Sequence, residues 1–383
     1  MSAPIIFQYL NAMKDHNASD LYLTVGFPPA MRGDKGLINI IEAPLSPDDL
    51  NDILNSMLTT RQKRDFEMSL ELNTSLDMGA HGRFRVNVMR QRQFPALVIR
   101  RIISKIPSFE ELKLPQIMAS LALEKRGLVL LTGMTGSGKS TTLAAMVDYR
   151  NTNQFGHIIT IEDPVEYFHD HKKCVVSQRE VGVDTESFAI AMKNSLRQRP
   201  DVILVGEIRD REVMEQALSV SETGHLCLST IHTNNSYQAI ERIVNLFPED
   251  YHAQVRLNLS TNLKAIISQR LLPSIKGGLV PAIEVMINQG FVRELILKGE
   301  IAKIKDVMEQ NNSIGMCSYD QSLLALFRDG FISEDVVIAN ADKPSDMKVK
   351  LQQVKLNAQG SSNKNEKNDV LSALDTSRIS FSE

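Results

Sequence analysis

The chain has 383 residues, 43% hydrophobic and 23% charged, and its 43 Lys and Arg against 46 Asp and Glu leave a formal net charge of -3. That length allows roughly two or three domains with ample core, and the charge balance excludes a global electrostatic drive toward nucleic acid or an acidic membrane. No apolar run nears the ~20 residues that span a bilayer, the opening MSAPIIFQYLNAMKDH has no basic region leading into a signal-type core, and the scattered Cys174, Cys227 and Cys317 argue against a disulfide framework; these features predict a cytoplasmic protein.

Taken in order, residues 4–16 predict a helix, because Ile6, Tyr9, Leu10 and Met13 recur at helical spacing. Leu21, Leu23 and Val25 alternate as a half-buried strand that stops at Gly26, Pro28 and Pro29. Ser46, Pro47 and Asp49 supply an N-cap, a first-turn proline and a first-turn carboxylate for a helix to about residue 58, and a second helix is expected over 61–70. Residues 83–89 alternate, with Phe84, Val86 and Val88 on one face of a strand and Arg83, Arg85 and Asn87 on the other; a further strand over 96–102 carries Arg100 and Arg101. These elements predict a small α+β domain over residues 1–105. Its arginine-bearing face, taken alone, reads as solvated charge. Pro107 and Pro115 mark a linker over 106–120.

The stretch GLVLLTGMTGSGKSTTLAAMV, residues 127–147, reads as strand, phosphate loop and helix. Leu128 to Leu131 form the continuous apolar run of a parallel strand buried on both faces. Gly133, Met134, Thr135, Gly136, Ser137, Gly138, Lys139 and Ser140 match G-x-x-x-x-G-K-[ST] in full. Glycines let backbone N–H groups curl around an anion, Lys139 adds a positive charge for the β- and γ-phosphates, and Ser140 would place its hydroxyl on Mg²⁺. The helix that begins at Thr141 turns its positive end toward the same phosphates. A nucleoside triphosphate site follows.

Beyond the loop, strands over 157–162, 174–177, 202–205 and 226–231 alternate with helices, the pattern of a parallel α/β sheet in a domain spanning 121–340. Hydrolysis needs a carboxylate near the γ-phosphate, held at a rigid strand end. DVILVGE, residues 201–207, presents Glu207 in this way, although Gly206 stands where an aspartate often precedes the glutamate; TIEDPVEYFH, 160–169, offers Glu162, Asp163 and Glu166. Asp163 is a candidate magnesium partner through water, and both Glu162 and Glu207 stay open as the base. His225 and His232 flank one strand, but their odd separation puts them on opposite faces, which argues against a shared metal site. His232, near the strand end, is a candidate to contact the γ-phosphate or relay its loss, although a lone histidine is more often a packed polar residue. No C-x-x-C pair marks a zinc site. Residues 237–272 and 291–327 are predicted to be predominantly helical, with an extra strand at 282–287. From 341 to 383 the chain turns polar, and LNAQGSSNKNEKND reads as disordered.

The four boxes GMTGSGKST, TIEDPVEYFH, DVILVGEIRD and GHLCLSTIHT resemble the Walker A, Asp, Walker B and His boxes of secretion ATPases. With ASDLYLTVGFPPAMR, RFRVNV and VVSQREV, the chain is most similar to type IV pilus retraction ATPases of the twitching-motility (PilT/PilU) type. That resemblance implies an N-terminal PAS-like α+β domain and a RecA-like P-loop ATPase domain with a helical C-terminal part, working as a homohexamer with ATP and Mg²⁺. It implies Glu207 and Glu162 as catalytic carboxylates and His225 and His232 as nucleotide-sensing histidines. Arg83, Arg85 and Arg100 fall where the family directs N-domain arginines toward nucleotide. FVRELIL, residues 291–297, keeps only Arg293, Leu295 and Ile296 of the family's AIRNLIR retraction signature. This, with the long tail, resembles the accessory PilU-like branch.

Implied partners are an inner-membrane pilus platform protein, giving peripheral association with the cytoplasmic face of the inner membrane, and a paralogous principal retraction ATPase. The alternative in the same chemistry is a pilus-extension or type II secretion ATPase, whose four-cysteine element and longer N-terminal region have no counterpart here. A RecA-like nucleic-acid motor is the other alternative, and the arginine cluster lacks the aromatics of a stacking platform. A module that only switches on nucleotide is disfavoured by Glu207 and Glu162.

Overall fold

The computed structural model describes residues 4–33, 36–102, 105–311 and 314–356. By internal contacts the chain divides into two units, Met1–Ser108 with Leu143–Ser229, and Phe109–Thr142 with Thr230–Glu383.

The N-terminal part contains α1 (Ile5–Asp15), β1 (Asp20–Thr24), β2 (Ala30–Gly33), β3 (Gly36–Asn39), α2 (Pro47–Met57), α3 (Thr60–Ser69), β4 (Glu71–Asp77), β5 (Arg83–Gln91) and β6 (Phe94–Ile102). Its strands form an antiparallel sheet in the order β3-β2-β1-β6-β5-β4. Helix α2 starts in a capping box: the Ser46 hydroxyl accepts from Asp49 N, and the Asp49 carboxylate accepts from Ser46 N at 2.8 Å. Helix α3 repeats this with Thr59 and Gln62, and each cap is worth about 1 kcal/mol. One sheet face buries Phe84, Val86, Val88, Leu97 and Ile99 against Tyr9, Leu10, Leu50 and Ile53, which leaves Arg83, Arg85 and Asn87 on the other face as the alternation predicts. Strands β2, β3 and β4 carry no clear local signal. β3 is exposed along its length, and β4, ELNTSLD, carries the Glu, Asn and Asp that strands disfavour.

The chain continues as α4 (Gln116–Ala122), β7 (Gly127–Thr132), α5 (Lys139–Asn153), β8 (Gly156–Glu162), β9 (Cys174–Glu180), α6 (Phe188–Ser195), β10 (Val202–Val205), α7 (Arg211–Glu222), β11 (Leu226–Ile231), α8 (Ser236–Val244), α9 (His252–Asn262), β12 (Leu263–Pro273), β13 (Leu279–Ile287), α10 (Phe291–Lys298), α11 (Ile304–Gln310), α12 (Tyr319–Arg328) and α13 (Glu334–Asn340). In the first unit β11, β10, β8 and β9 lie side by side and parallel. In the second, β12 pairs parallel with β7 and antiparallel with β13. The mixed α/β architecture matches the expectation.

Two expectations are corrected. Residues 263–272 of the expected helical stretch are not helical but belong to β12. Leu263, Ile266, Ile267 and Leu271 happen to fall at helical spacing, yet the strand is buried on both faces, so its apolar run carries no two-residue period. Residues 341–356 are also not a disordered tail. A helix runs through 344–356, and its Met347 and Leu351 are fully buried with Leu272, Val280, Tyr319, Leu323 and Val337. Residues 357–383, the rest of the expected tail, lie outside the described residues. Among the described residues no helix is long and apolar enough to cross a membrane.

Candidate active site

The glycine-rich loop leaves β7 at Gly133 and delivers Lys139 to the first turn of α5. Gly133, Gly136 and Gly138 have φ of 149°, 79° and 85°, conformations that favour glycine. A Cβ on Gly133 would stand 2.4 Å from the Gln269 carbonyl oxygen and 2.5 Å from Ser137 Oγ, so the close approach of β12 independently requires glycine there. Lys139 Nζ donates to the carbonyls of Gly133 at 2.8 Å and Met134 at 2.9 Å, which folds its charge over the loop. Gln269 holds the loop's far side: its Nε2 donates to Ser137 O at 2.9 Å, while its Oε1 accepts from Thr142 Oγ1 at 2.8 Å. Ser137 Oγ is buried and has no hydrogen-bond partner among the described residues. A loop opened by three glycines, a lysine held over it and an orphaned hydroxyl inside it fit a phosphate group.

Beside the loop lies a cleft of about 210 Å³ lined by Leu112, Leu114, Gly138, Thr141, Leu271 and Pro281 among others. Its apolar walls next to a phosphate cradle suit a flat base. Sequence reasoning finds neither this cleft nor Gln269, because both depend on β12, whose apolar spacing presents it as helix.

In the first unit the carboxylates gather at strand ends. β8 and β10 are parallel with Ile161 opposite Val205, and Gly206 N donates to Ile161 O at 2.8 Å. Glu162, Asp163 and Glu207 therefore leave the sheet side by side. Arg209 joins two of them, pairing with Glu207 and standing 3.7 Å from Asp163; it lies inside the DVILVGEIRD box, but no spacing rule singles it out. Glu162 accepts from Thr160 Oγ1 at 2.7 Å and from Gln178 Nε2 at 3.4 Å. Desolvation pushes its carboxyl up to about 7, against the downward pull of those hydrogen bonds. A carboxyl poised there exchanges protons near neutral pH.

The three arginines have different fates. Arg83 is committed within its own unit: its Nη2 donates at 2.8 Å both to the buried carboxylate of Glu180 and to Ser75 Oγ, and its guanidinium lies 4.2 Å from the centre of the Phe168 ring. Glu180 also accepts from Ser75 Oγ and Val165 N. Arg100 pairs with Asp20 at 2.8 Å; desolvation alone would raise that carboxyl, but the hydrogen bonds from Ser19 and Arg100 hold it below its ordinary value. Arg85 sits directly opposite Arg100, is exposed, and forms no ion pair among the described residues.

The histidines are not brought together. His225 precedes β11 and sits 3.1 Å from Thr223 Oγ1, whereas exposed His232 follows the strand, so a six-residue strand of about 20 Å separates them. Parallel pairing with β10 puts His225 at the strand end opposite to Glu207. His232 opens a loop tied to the end of β7, where Thr132 Oγ1 donates to Thr233 O at 2.7 Å and accepts from Thr233 N at 3.0 Å. Among the described residues no group of three or more His, Cys, Asp and Glu side chains is placed to hold a metal ion.

Residues 56–302 match the family described as type II/IV secretion system protein. The type IV pilus ATPase PilU of Pseudomonas aeruginosa is 47% identical over 341 residues, 89% of this chain and 89% of that protein. The type IV pilus retraction ATPase PilT of the same organism is 42% identical over 318 residues, 83% of this chain and 92% of that protein. Among solved structures, the pilus retraction motor PilT with bound ADP superposes with a TM-score of 0.84 at 40% identity, covering 89% of this chain and 98% of that one.

Proposed function

The chain belongs to the type II/IV secretion system protein family and is an ATPase of its type IV pilus retraction branch, and from that premise we propose that it works as a homohexamer in which each ATP is held by Lys139 and hydrolysed with help from Glu207 and Glu162. The observation that carries this reading is the phosphate cradle, with Lys139 folded over Gly133 and Met134 and Gln269 bracing Ser137. In use, the lysine exchanges those carbonyls for the β- and γ-phosphates, and the base enters the cleft lined by Leu112, Leu114 and Leu271. Ser140 and, through water, Asp163 are the residues that would hold Mg²⁺ brought with the nucleotide, and the ion would supply neutralisation of the charge that develops on the γ-phosphoryl group. Glu162 or Glu207 orients the attacking water, and His232 reports loss of the γ-phosphate. His225, at the far end of its strand, serves a contact other than this water.

Arg85 and Arg100 are the N-terminal arginines that reach a neighbouring subunit's nucleotide, and their engagement turns hydrolysis into rotation of the N-terminal sheet domain. The output acts on an inner-membrane pilus platform protein from the cytoplasmic side. P. aeruginosa holds both a PilU and a PilT, and the greater likeness to PilU supports a role beside a principal retraction motor. The direct test is steady-state hydrolysis by the purified protein. Turnover is expected without DNA or RNA, and Lys139→Ala and Glu207→Ala should each reduce it by at least about a hundredfold, the scale of one lost electrostatic stabiliser. Hydrolysis that appears only with nucleic acid would contradict the reading.

A further inference from the structure

The loop that carries His232 is pinned at several points. Thr233 is held by Thr132, and Asn235 caps α8 by accepting from Gln238 N at 2.9 Å. Ser236 N donates at 2.8 Å to the buried carboxylate of Glu284. Between these, the Asn234 carbonyl oxygen accepts from Ser268 Oγ at 3.0 Å and from Arg270 Nη2 at 3.3 Å. Arg270 extends further. Its guanidinium lies 3.9 Å from the centre of the Tyr319 ring, at the start of α12, and its Nη1 reaches the Asn340 carbonyl at 3.5 Å, at the end of α13.

Three consecutive residues of β12 thus serve two nucleotide-side loops. Gln269 braces the phosphate loop, while Ser268 and Arg270, one residue to either side and so on the opposite strand face, hold the loop after β11. We propose that Arg270 is a positioning residue that fixes the His232 loop and links it to the C-terminal helices, so that displacement of α12 or of the end of α13 changes ATP turnover. A guanidinium suits this task because it stacks on an aromatic face while its fork donates in plane to two carbonyls. The contact over the Tyr319 ring sets the orientation in which Nη2 faces Asn234. Moving that ring turns the fork and releases the loop, while Gln269 keeps its grip on Ser137. Phosphate binding and loop position are therefore separable.

The inference rests on reading the His232 loop as part of the ATP site, and the test is arranged to separate the two. With the full-length protein, Arg270→Gln is expected to lower kcat about tenfold, equivalent to ~1.4 kcal/mol. KM for ATP and the Kd of a fluorescent ATP analogue should stay within about twofold, because only a contact made after binding is lost. Tyr319→Leu, which keeps an apolar group in its cluster, should lower kcat by a smaller factor, and the double variant should be no worse than Arg270→Gln, since both break one connection. Unchanged kcat in either single variant, effects that multiply in the double variant, or parallel losses of kcat and nucleotide affinity would each overturn the proposal. If Arg270→Gln does not fold, Tyr319→Leu alone decides it. His232→Gln is the control: normal turnover there beside a slow Arg270→Gln removes the His232 reading and leaves Arg270 standing, whereas a slow His232→Gln beside a normal Arg270→Gln removes only the Arg270 proposal.

Discussion

Glu162 carries the most distinctive chemistry at the level of single residues. Its carboxyl titrates near 7 instead of its ordinary 4.5 because burial penalises the charged form more than Thr160 and Gln178 stabilise it. If Glu162 acts as the carboxylate that orients water, kcat should rise with pH through an apparent pKa near 7, and Glu162→Gln should abolish that limb together with most of the activity. A wild-type profile flat from pH 6 to 8 would assign the task to Glu207. The same shift bears on stability: a raised folded-state pKa contributes stability that is fully present below about 4.5 and lost as pH rises through about 7, and Glu162→Gln should remove that decline from thermal melts. Residue identities at the loop, at Glu162 and at Glu207 are readable from spacing, since phosphate and strand-end chemistry is written in local motifs. The commitment of Arg83 to Glu180 is not readable, because an ion pair across 97 positions leaves no local trace.

Elements are legible in proportion to how local their signals are. The capping boxes at Ser46 and Thr59 and the alternation of β5 and β6 follow from a few neighbouring side chains. β12 and the helix over 344–356 do not. Burial on both faces hides the strand, and in the helix only Met347 and Leu351 are buried, while the exposed positions mix Lys348, Gln352, Gln353 and Lys355 with Val349 and Leu356 and so blur its apolar face. That helix closes the cluster built on Leu272 and Val280. Truncation after residue 340 should therefore cost about 3–6 kcal/mol, the burial worth of two large side chains, read as a lowered denaturation midpoint. An unaltered midpoint would show that the helix contributes nothing to the fold. Asp342, paired with Lys305 at 2.6 Å, and Lys355, paired with Glu334 at 2.6 Å, add ties along the segment.

The whole molecule combines a motif-rich ATPase with an antiparallel sheet domain whose arginine face is ambiguous by composition alone. Bulk properties set net charge, size and class, and the family resemblance supplies the assembly and the output, which no single-chain contact expresses. ATP hydrolysis is common to retraction, extension and secretion members, so biochemistry on the isolated chain does not separate them. Direction shows only in the cell. The decisive measurement is pilus number and twitching in a strain lacking the gene, complemented with wild type or with Lys139→Ala. The account predicts a piliated strain with impaired twitching, restored by the wild type and not by Lys139→Ala; loss of surface pili would contradict it and assign the chain to extension.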